Sequence, residues 1–211
     1  MDFILKCEIY KRLISVTDYM KPSMGADDKE RLSCVYLEYK DGHYYAVSTN
    51  RQLASVYYLG EINQPDAHAF VVRDDRLIKQ CDFEMQYDSS FVFTVVPEIA
   101  VGTARTLMGW EMEGNCCIFP EFSPQITWRD WGFPDKTPQA NNGVMYWDIS
   151  NVTSLAATSP SGKVYFPQHI DVKKPVVIRD IHDDNWCGMF MADPCPEDKQ
   201  VTKPAEIPTW I

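Results

Sequence analysis

Lysine and arginine side chains recur at helical spacing in two separate segments of the chain. Cations that project from one helix face can contact nucleic-acid phosphates through weak, salt-dependent interactions that carry no sequence information. The same spacing also occurs on helices whose charged face only contacts water. The pattern therefore leaves both interpretations open, and the candidate phosphate-binding residues are Lys6, Lys11, Arg12, Arg73, Arg76 and Lys79.

No segment carries a pattern typical of a catalytic centre. The sequence contains no G-x-S-x-G nucleophile, no H-E-x-x-H metal site, no phosphate-binding loop and no dinucleotide fingerprint. His182, Asp183, Asp184 and Cys187 are metal-ligand types close together, but a turn between two strands explains the acidic residues more simply. We therefore expect no enzymatic activity, no metal and no cofactor.

Tryptophan side chains could provide a second kind of contact with nucleic acid. Trp128 and Trp131 flank Arg129, an arrangement that could stack bases of a single strand. Most tryptophans instead anchor cores or interfaces, so we favour a structural role.

Composition and charge restrict the class of protein. The 211 residues carry a net charge of −10 and 45% hydrophobic residues, which is typical of a globular domain. This charge excludes a surface that binds nucleic acid everywhere, but it permits cations gathered on one face, or a protein that imitates DNA phosphates. The seven cysteines form no C-x-x-C pair. Because there is also no signal peptide and no apolar run of about 20 residues, we expect a cytoplasmic protein.

The first segment predicts a helix followed by an antiparallel meander. Apolar residues at helical spacing predict a helix over residues 3–20. Alternating strand formers predict strands at 32–39, 43–47 and 52–60, with Asp41-Gly42 as the hairpin turn.

The same plan recurs twice in the rest of the chain, which favours an α+β fold. Residues 73–80 predict a second helix, and residues 97–105 a loop or a bulged strand. Beyond a segment rich in Pro, Gly and Asn, residues 144–157 predict a third helix. The accompanying strands are predicted at 83–87, 91–96, 107–113 and 115–119, and at 163–166, 175–181 and 186–192 around a turn at 183–185.

Short segments in a fixed order suggest a family. The order is Ser48-Thr49-Asn50-Arg51-Gln52-Leu53-Ala54, then Phe119-Pro120-Glu121-Phe122, then Lys174-Pro175-Val176-Val177-Ile178-Arg179 and Met189-Phe190-Met191-Ala192. They resemble the T-D-G-H-R-L-A, F-P-D-Y, K-P-V-x-I and M-P-M-R segments of the bacterial DNA polymerase sliding clamp, the beta-clamp-like processivity factor. The chain departs from the family at Asn50-Arg51-Gln52, Phe190 and Ala192.

The resemblance implies a ring of domains, each built from two helix-plus-meander halves, with helices around a hole that duplex DNA threads. Residues 1–124 would form one clamp-like domain of two halves, 125–143 a linker, 144–193 a third half-unit and 194–211 an extended, proline-rich tail. A bacterial member has six half-units, so we expect a shortened version of the viral or prophage kind.

The resemblance also implies an apolar pocket between neighbouring domains that accepts a short peptide from a polymerase or a clamp loader. Thioether and leucine side chains would form its deformable floor. Carried over by position, the pocket residues are Ser48, Asn50, Arg51, Gln52, Leu53, Pro120, Ile126, Met189 and Met191.

The function implied by the resemblance is that of a sliding clamp. A homo-oligomeric ring would encircle duplex DNA without sequence preference and hold a polymerase near its template by effective concentration. Two alternatives stay open: an acidic clamp-fold decoy or inhibitor of host replication or defence proteins, and a small viral structural or assembly protein.

Overall fold

The fold is an α+β arrangement of two antiparallel sheets with helices packed against them. In the described part of the chain, no helix is long and apolar enough to cross a membrane. A computed structural model describes residues 1–19, 32–50, 53–96, 101–109, 111–112, 117–118, 149–166 and 176–190.

The described helices and strands have the following bounds. The helices are α1 (Cys7–Ile14), α2 (Asp75–Glu84) and α3 (Ile149–Thr158), with 3-10 turns at Ser15–Tyr19 and Met85–Tyr87. The strands are β1 (Asp2–Lys6), β2 (Cys34–Lys40), β3 (His43–Thr49), β4 (Leu53–Glu61), β5 (Ala67–Val72), β6 (Ser90–Val96), β7 (Val101–Thr106), β8 (Glu111–Met112), β9 (Cys117–Ile118), β10 (Val164–Tyr165), β11 (Val176–Asp180) and β12 (Trp186–Phe190).

Each of the first two units consists of a strand, a helix and a meander, and these two units exchange their leading strands. The first half contains β1, α1 and β2 to β4, and the second half contains β5, α2 and β6 to β8. However, β1 pairs with β6 of the second half, and β5 pairs with β2 of the first half. The resulting sheets have the orders β1-β6-β7-β8 and β10-β11-β12-β4-β3-β2-β5-β9.

The first predicted helix is wrong at its start, because residues 2–6 form a strand. Phe3 and Leu5 are buried while their neighbours are exposed, which is the alternation of a strand with one buried face. Five residues are too few to separate this alternation from helical spacing. The ladder to β6, which joins residues about 90 positions apart, selects the strand.

The second half shows further corrections. Residues 83–87 are not a strand, because α2 extends to Glu84 and a 3-10 turn follows. Arg73 lies outside α2, whose N-cap is Asp74. Residues 107–109 form a turn and not the start of the predicted strand, whose described strand residues are Glu111–Met112. The sequence pattern also missed β5, whose leading residues Ala67 and His68 give a weak alternation.

Other predictions of elements are confirmed. The hairpin turns at Asp41 and Gly42, both of which adopt the positive φ that such a turn requires. Strands β2 to β4, β6, β11 and β12 lie within two or three residues of the predicted bounds, and α3 covers the described part of the third predicted helix.

Two tyrosines connect the two sheets. The ring of Tyr39 stacks on Phe3 of β1 with a centroid separation of 4.5 Å. The Tyr39 hydroxyl donates to the Asp2 carbonyl oxygen at 2.7 Å, and the Tyr44 hydroxyl donates to the Ile4 carbonyl oxygen at 2.9 Å. The outward carbonyls of β1 are thus paired without another strand beside them.

The third unit, formed by α3 and β10 to β12, joins the first half through β12. This strand pairs with β4 in register from Trp186 opposite Tyr57 to Phe190 opposite Leu53. A second core fills the space beneath this ladder, and the Trp186 Nε1–H donates to the Ser55 Oγ at 2.9 Å. The buried residues of this core are Val16, Leu53, Leu155, Val176, Ile178, Trp186 and Phe190.

The core beneath the β4–β12 ladder leaves no room for a side chain at Gly188. A Cβ there would lie 2.9 Å from the Trp186 Cη2 and 3.1 Å from the Ile178 Cγ1. We expect Gly188→Ala to lower the free energy of unfolding by about 1–3 kcal/mol, measured by urea denaturation. In a Trp186→Phe background, which lacks the crowding indole atoms, Gly188→Ala should lower the free energy of unfolding by a smaller amount. An equal cost in both backgrounds would show that the indole is not the cause.

Asp180 is a buried carboxylate that organises the turn after β11. Burial alone would raise its pKa, but hydrogen bonds from Ser159, Ser161 and the His182 N–H hold the pKa well below its usual range. The stabilisation is therefore fully present above the unfolded-state pKa of about 3.9 and is lost as the pH falls toward the folded-state pKa.

We expect Asp180→Asn to lower the free energy of unfolding at pH 7 by about 2 kcal/mol, because the charged acceptor is lost. The difference from the unsubstituted protein should shrink below about pH 4. Denaturation series at several pH values measure both effects. Asp184→Asn, in the same turn but exposed, is the control and should change little. A difference in free energy of unfolding between Asp180→Asn and the unsubstituted protein that stays constant down to about pH 2 would contradict the stabilising role of the Asp180 carboxylate.

Candidate functional site

Strands β3, β4 and β12 bring the described residues of the predicted pocket to one end of the large sheet. Ser48 lies opposite Ser55 of β4, and Met189 lies opposite Ala54. Asn50 closes the turn between β3 and β4, because its Oδ1 accepts from the Leu53 N–H at 2.8 Å. The end of the seam between the first half and the third unit is therefore the candidate site.

Leu53 and Met189 lie on opposite faces of this sheet. Leu53 is opposite Phe190 in the core beneath the ladder and is only 1% exposed, so it cannot form an exposed floor beside Met189. Met189 is partly exposed on the outer face, between Ala54 on β4 and Val177 on β11. Val177 is 37% exposed. The accessible apolar surface at the seam thus comes from Met189 and Val177.

Ser48 and Asn50 are buried and already hydrogen-bonded. The Ser48 Oγ donates to the Cys34 carbonyl oxygen at 3.2 Å, and each side chain is 2% exposed. These side chains shape the strand end and its turn. The remaining predicted pocket residues lie outside the described residues, so the meeting of Asn50, Pro120 and Met191 stays a prediction; they are Arg51, Gln52, Pro120, Ile126 and Met191.

The helices form a row with α1 in the middle, in contact with both α2 and α3. Lys11 of α1 forms an ion pair with Asp82 of α2. On the other side, the Arg12 Nη1 donates to the Ser159 carbonyl oxygen just after α3, at 2.9 Å. Lys11 and Arg12, two of the positions that the sequence assigned to nucleic acid, therefore hold this row of helices together, whereas Lys6 lies in β1 and Arg73 precedes α2.

Acidic side chains neutralise most of the predicted phosphate-binding residues. Exposed ion pairs of this kind contribute only about 0–1 kcal/mol each, so a phosphate could compete with the carboxylate. Lys79 is exposed on α2 and forms no ion pair within the described ranges. The pairs are Lys6 with Asp88, Lys11 with Asp82, Arg12 with Glu8, Arg73 with Asp18 and Arg76 with Asp74.

A cavity of about 520 Å³ lies between β1 and the far end of β4. Sequence reasoning missed it, although a recurrence of tyrosines marks it. The Tyr57 hydroxyl donates to the Asp183 carboxylate of the third unit; burial and this hydrogen bond raise the Tyr57 pKa. The tyrosines in its wall are Tyr39, Tyr44, Tyr57 and Tyr58.

Comparison by sequence gives no assignment. No family model matches the chain. No curated protein matches it either.

Comparison of structures gives a consistent result. The DNA polymerase III subunit beta of Pseudomonas aeruginosa aligns with a TM-score of 0.62 and 11% identity, over 92% of this chain and 66% of that one. A sliding clamp of the same organism bound to griselimycin aligns with a TM-score of 0.60 and 11% identity, over 92% and 65%. A putative DNA polymerase III beta subunit of Eubacterium rectale aligns with a TM-score of 0.58 and 10% identity, over 92% of this chain and 65% of that one. The chain has the sliding-clamp fold, over slightly less than two thirds of the length of these clamps.

Proposed function

We propose that this protein is a non-enzymatic DNA sliding clamp that tethers a polymerase or another replication protein to duplex DNA. The observation that carries the proposal is the continuity of the large sheet, which runs from the first domain into the third unit behind one row of helices. The fold that this chain shares with DNA polymerase III beta subunits supports the same assignment. A closed ring would make affinity for DNA unnecessary, because the topological link keeps the partner near its template.

The proposed DNA-facing surface is the row of helices. Lys79 is the described cation best placed to contact a phosphate directly, while Lys11, Arg12 and Arg76 would do so by exchanging a carboxylate for a phosphate. A surface with such balanced charge would bind DNA weakly and permit sliding. The net charge of −10 would keep DNA away from the remaining surface.

The proposed partner site is the outer face of the seam. Met189 and Val177 supply exposed apolar surface there, and Met189 can adapt its shape to different anchors. Arg51, Gln52, Pro120, Ile126 and Met191 would complete the site. A sliding clamp of Pseudomonas aeruginosa with the same fold has been solved bound to griselimycin, which supports a ligand site on this fold.

Charge reversal at Lys79 tests the DNA-facing surface. We expect Lys79→Glu to weaken retention on duplex DNA several-fold and to reduce the salt dependence by about one phosphate contact. Filter binding over a series of salt concentrations measures both. Lys40→Glu, which makes the same charge change at the β2–β3 turn, should have a much smaller effect. Equal losses from both variants would place Lys79 outside the DNA-facing surface.

A topology experiment tests encirclement itself. Protein loaded on nicked circular DNA should remain bound and should be lost when the DNA is cut to a linear form. Equal retention on circular and linear DNA would contradict the ring. A protein that binds no DNA in either form would favour the decoy alternative.

Substitution of Met189 tests the partner site with griselimycin as the probe. We expect Met189→Glu to weaken binding at least about tenfold in calorimetry, because a carboxylate in place of the apolar thioether would have to be buried beneath the bound ligand. Met108→Glu, an identical change in the exposed β7–β8 turn, is the matched control. If unsubstituted protein does not bind, or both variants bind normally, the outer face of the seam is not this site.

A further inference from the structure

The cavity between β1 and the far end of β4 is bounded by separate parts of the chain. Ile4 and Lys6 come from β1, Tyr57 comes from β4, and Asn185 comes from the turn between β11 and β12. Every residue of its wall belongs to the described part of the chain. Its volume of about 520 Å³ lies within the range of about 300–1,000 Å³ that is typical of small-molecule sites. The cavity is therefore large enough for a small organic ligand.

This cavity is distinct from the seam that forms the proposed partner site. Along β4, Tyr57 lies three residues beyond Ala54, the residue opposite Met189, which is a separation of about 10 Å. The two places also lie on different faces of the large sheet. Tyr57 packs against the core beneath the β4–β12 ladder, whereas Met189 lies on the outer face. A molecule in the cavity would therefore leave the outer face of the seam uncovered.

Hydrogen bonds fix the phenols in the wall of the cavity. The hydroxyls of Tyr39 and Tyr44 donate to carbonyl oxygens of β1, and that of Tyr57 donates to a carboxylate of the third unit. The Tyr58 hydroxyl lies 3.3 Å from the His43 Nδ1. Because these hydroxyls are engaged, the ring carbons supply the contacts that remain for a ligand. The wall is thus preformed and favours an aromatic partner.

Ile4 adds apolar surface that the fold leaves uncovered at this place. Its side chain is 55% exposed, because it lies on the face of β1 opposite to the buried Phe3 and Leu5. Leu59 and Ile62, which also line the cavity, are only partly buried. Removal of this surface from water would favour the binding of an apolar molecule.

The polar groups of the wall restrict the charge of a ligand. The Asn185 side-chain amide and the Ser90 hydroxyl make no hydrogen bond within the described residues, so both can donate to a ligand. The Lys6 ammonium is paired with Asp88 at 3.0 Å and would repel a cation. The Asp183 carboxylate adjoins the wall through its bond from Tyr57 and would repel an anion. An uncharged ligand with a hydrogen-bond acceptor suits these groups best.

We propose that this cavity binds an uncharged, planar aromatic molecule, about as large as two fused rings, that carries a hydrogen-bond acceptor. Its rings pack against Ile4 and the tyrosine rings, and its acceptor receives a hydrogen bond from the Asn185 amide. Because Ile4 belongs to β1 and Asn185 to the third unit, the ligand holds these two parts of the molecule together. Binding to the folded state alone should therefore raise the Tm by mass action.

The dye Prodan, an uncharged naphthalene with a propionyl carbonyl and a dimethylamino group, is the probe. We expect its emission to shift to the blue on binding at one site, and the Tm to rise with its concentration. Anilinonaphthalene sulfonate adds a negative charge to a similar aromatic body and should bind at least about tenfold more weakly. No binding of Prodan, or binding of the sulfonate that is as tight or tighter, would overturn the inference.

Substitution of Ile4 tests the position of the dye. We expect Ile4→Glu to weaken Prodan binding at least about tenfold, because it places a charge in the apolar part of the wall. Ile149→Glu is the matched control, because Ile149 is exposed at the start of α3 and does not line the cavity. Equal losses from both variants, or a loss with Met189→Glu in place of Ile4→Glu, would put the dye elsewhere and overturn the inference.

Substitution of Asn185 tests the hydrogen bond with a nearly unchanged side-chain volume. We expect Asn185→Leu to weaken Prodan binding several-fold, because the donor to the carbonyl is lost. N-phenylnaphthylamine, an uncharged dye without a carbonyl, should bind this variant and the unsubstituted protein equally. Circular dichroism should show that each variant is folded. A folded Asn185→Leu variant that loses both dyes, or neither, would contradict the proposed class of ligand.

Discussion

The ladder between β4 and β12 is the interaction on which the rest of the molecule depends. It joins Trp186 and Phe190, near the end of the chain, to Tyr57 and Leu53 of the first half, and the buried indole of Trp186 donates a hydrogen bond to Ser55. Thr158 also donates to the Ser55 Oγ, which ties α3 to the same point. Without this ladder the large sheet would end at β4, and the seam with its apolar outer surface would not exist.

Local patterns were sufficient for much of the sheet. The Asp41-Gly42 turn and the alternation on either side of it predicted the first meander, because the hairpin turn determines the register of its strands. The start of the chain could not be predicted in this way, since only a distant partner, β6, makes residues 2–6 a strand. The helical spacing of Arg73, Arg76 and Lys79 wrongly placed Arg73 within α2. Arg73 precedes this helix, because Asp74 is its N-cap.

The candidate site shows a similar division. The order of the motifs along the chain predicted that Ser48, Asn50, Leu53 and Met189 lie near one another, and the structure places them at one end of the sheet. The order did not predict on which face of the sheet each side chain lies. A shift of one residue in register would exchange the inner and outer faces of β12. The ion pairs of the helix row could not be predicted either, because partners such as Lys11 and Asp82 are far apart in sequence.

The bonds from Tyr39 and Tyr44 to the carbonyls of β1 have a consequence for self-association. A sheet border normally recruits a further chain through its unpaired backbone groups. Here two acceptors on one border are already occupied by phenols, so an incoming chain would have to displace them. The β1 border of the smaller sheet therefore resists the addition of a further strand.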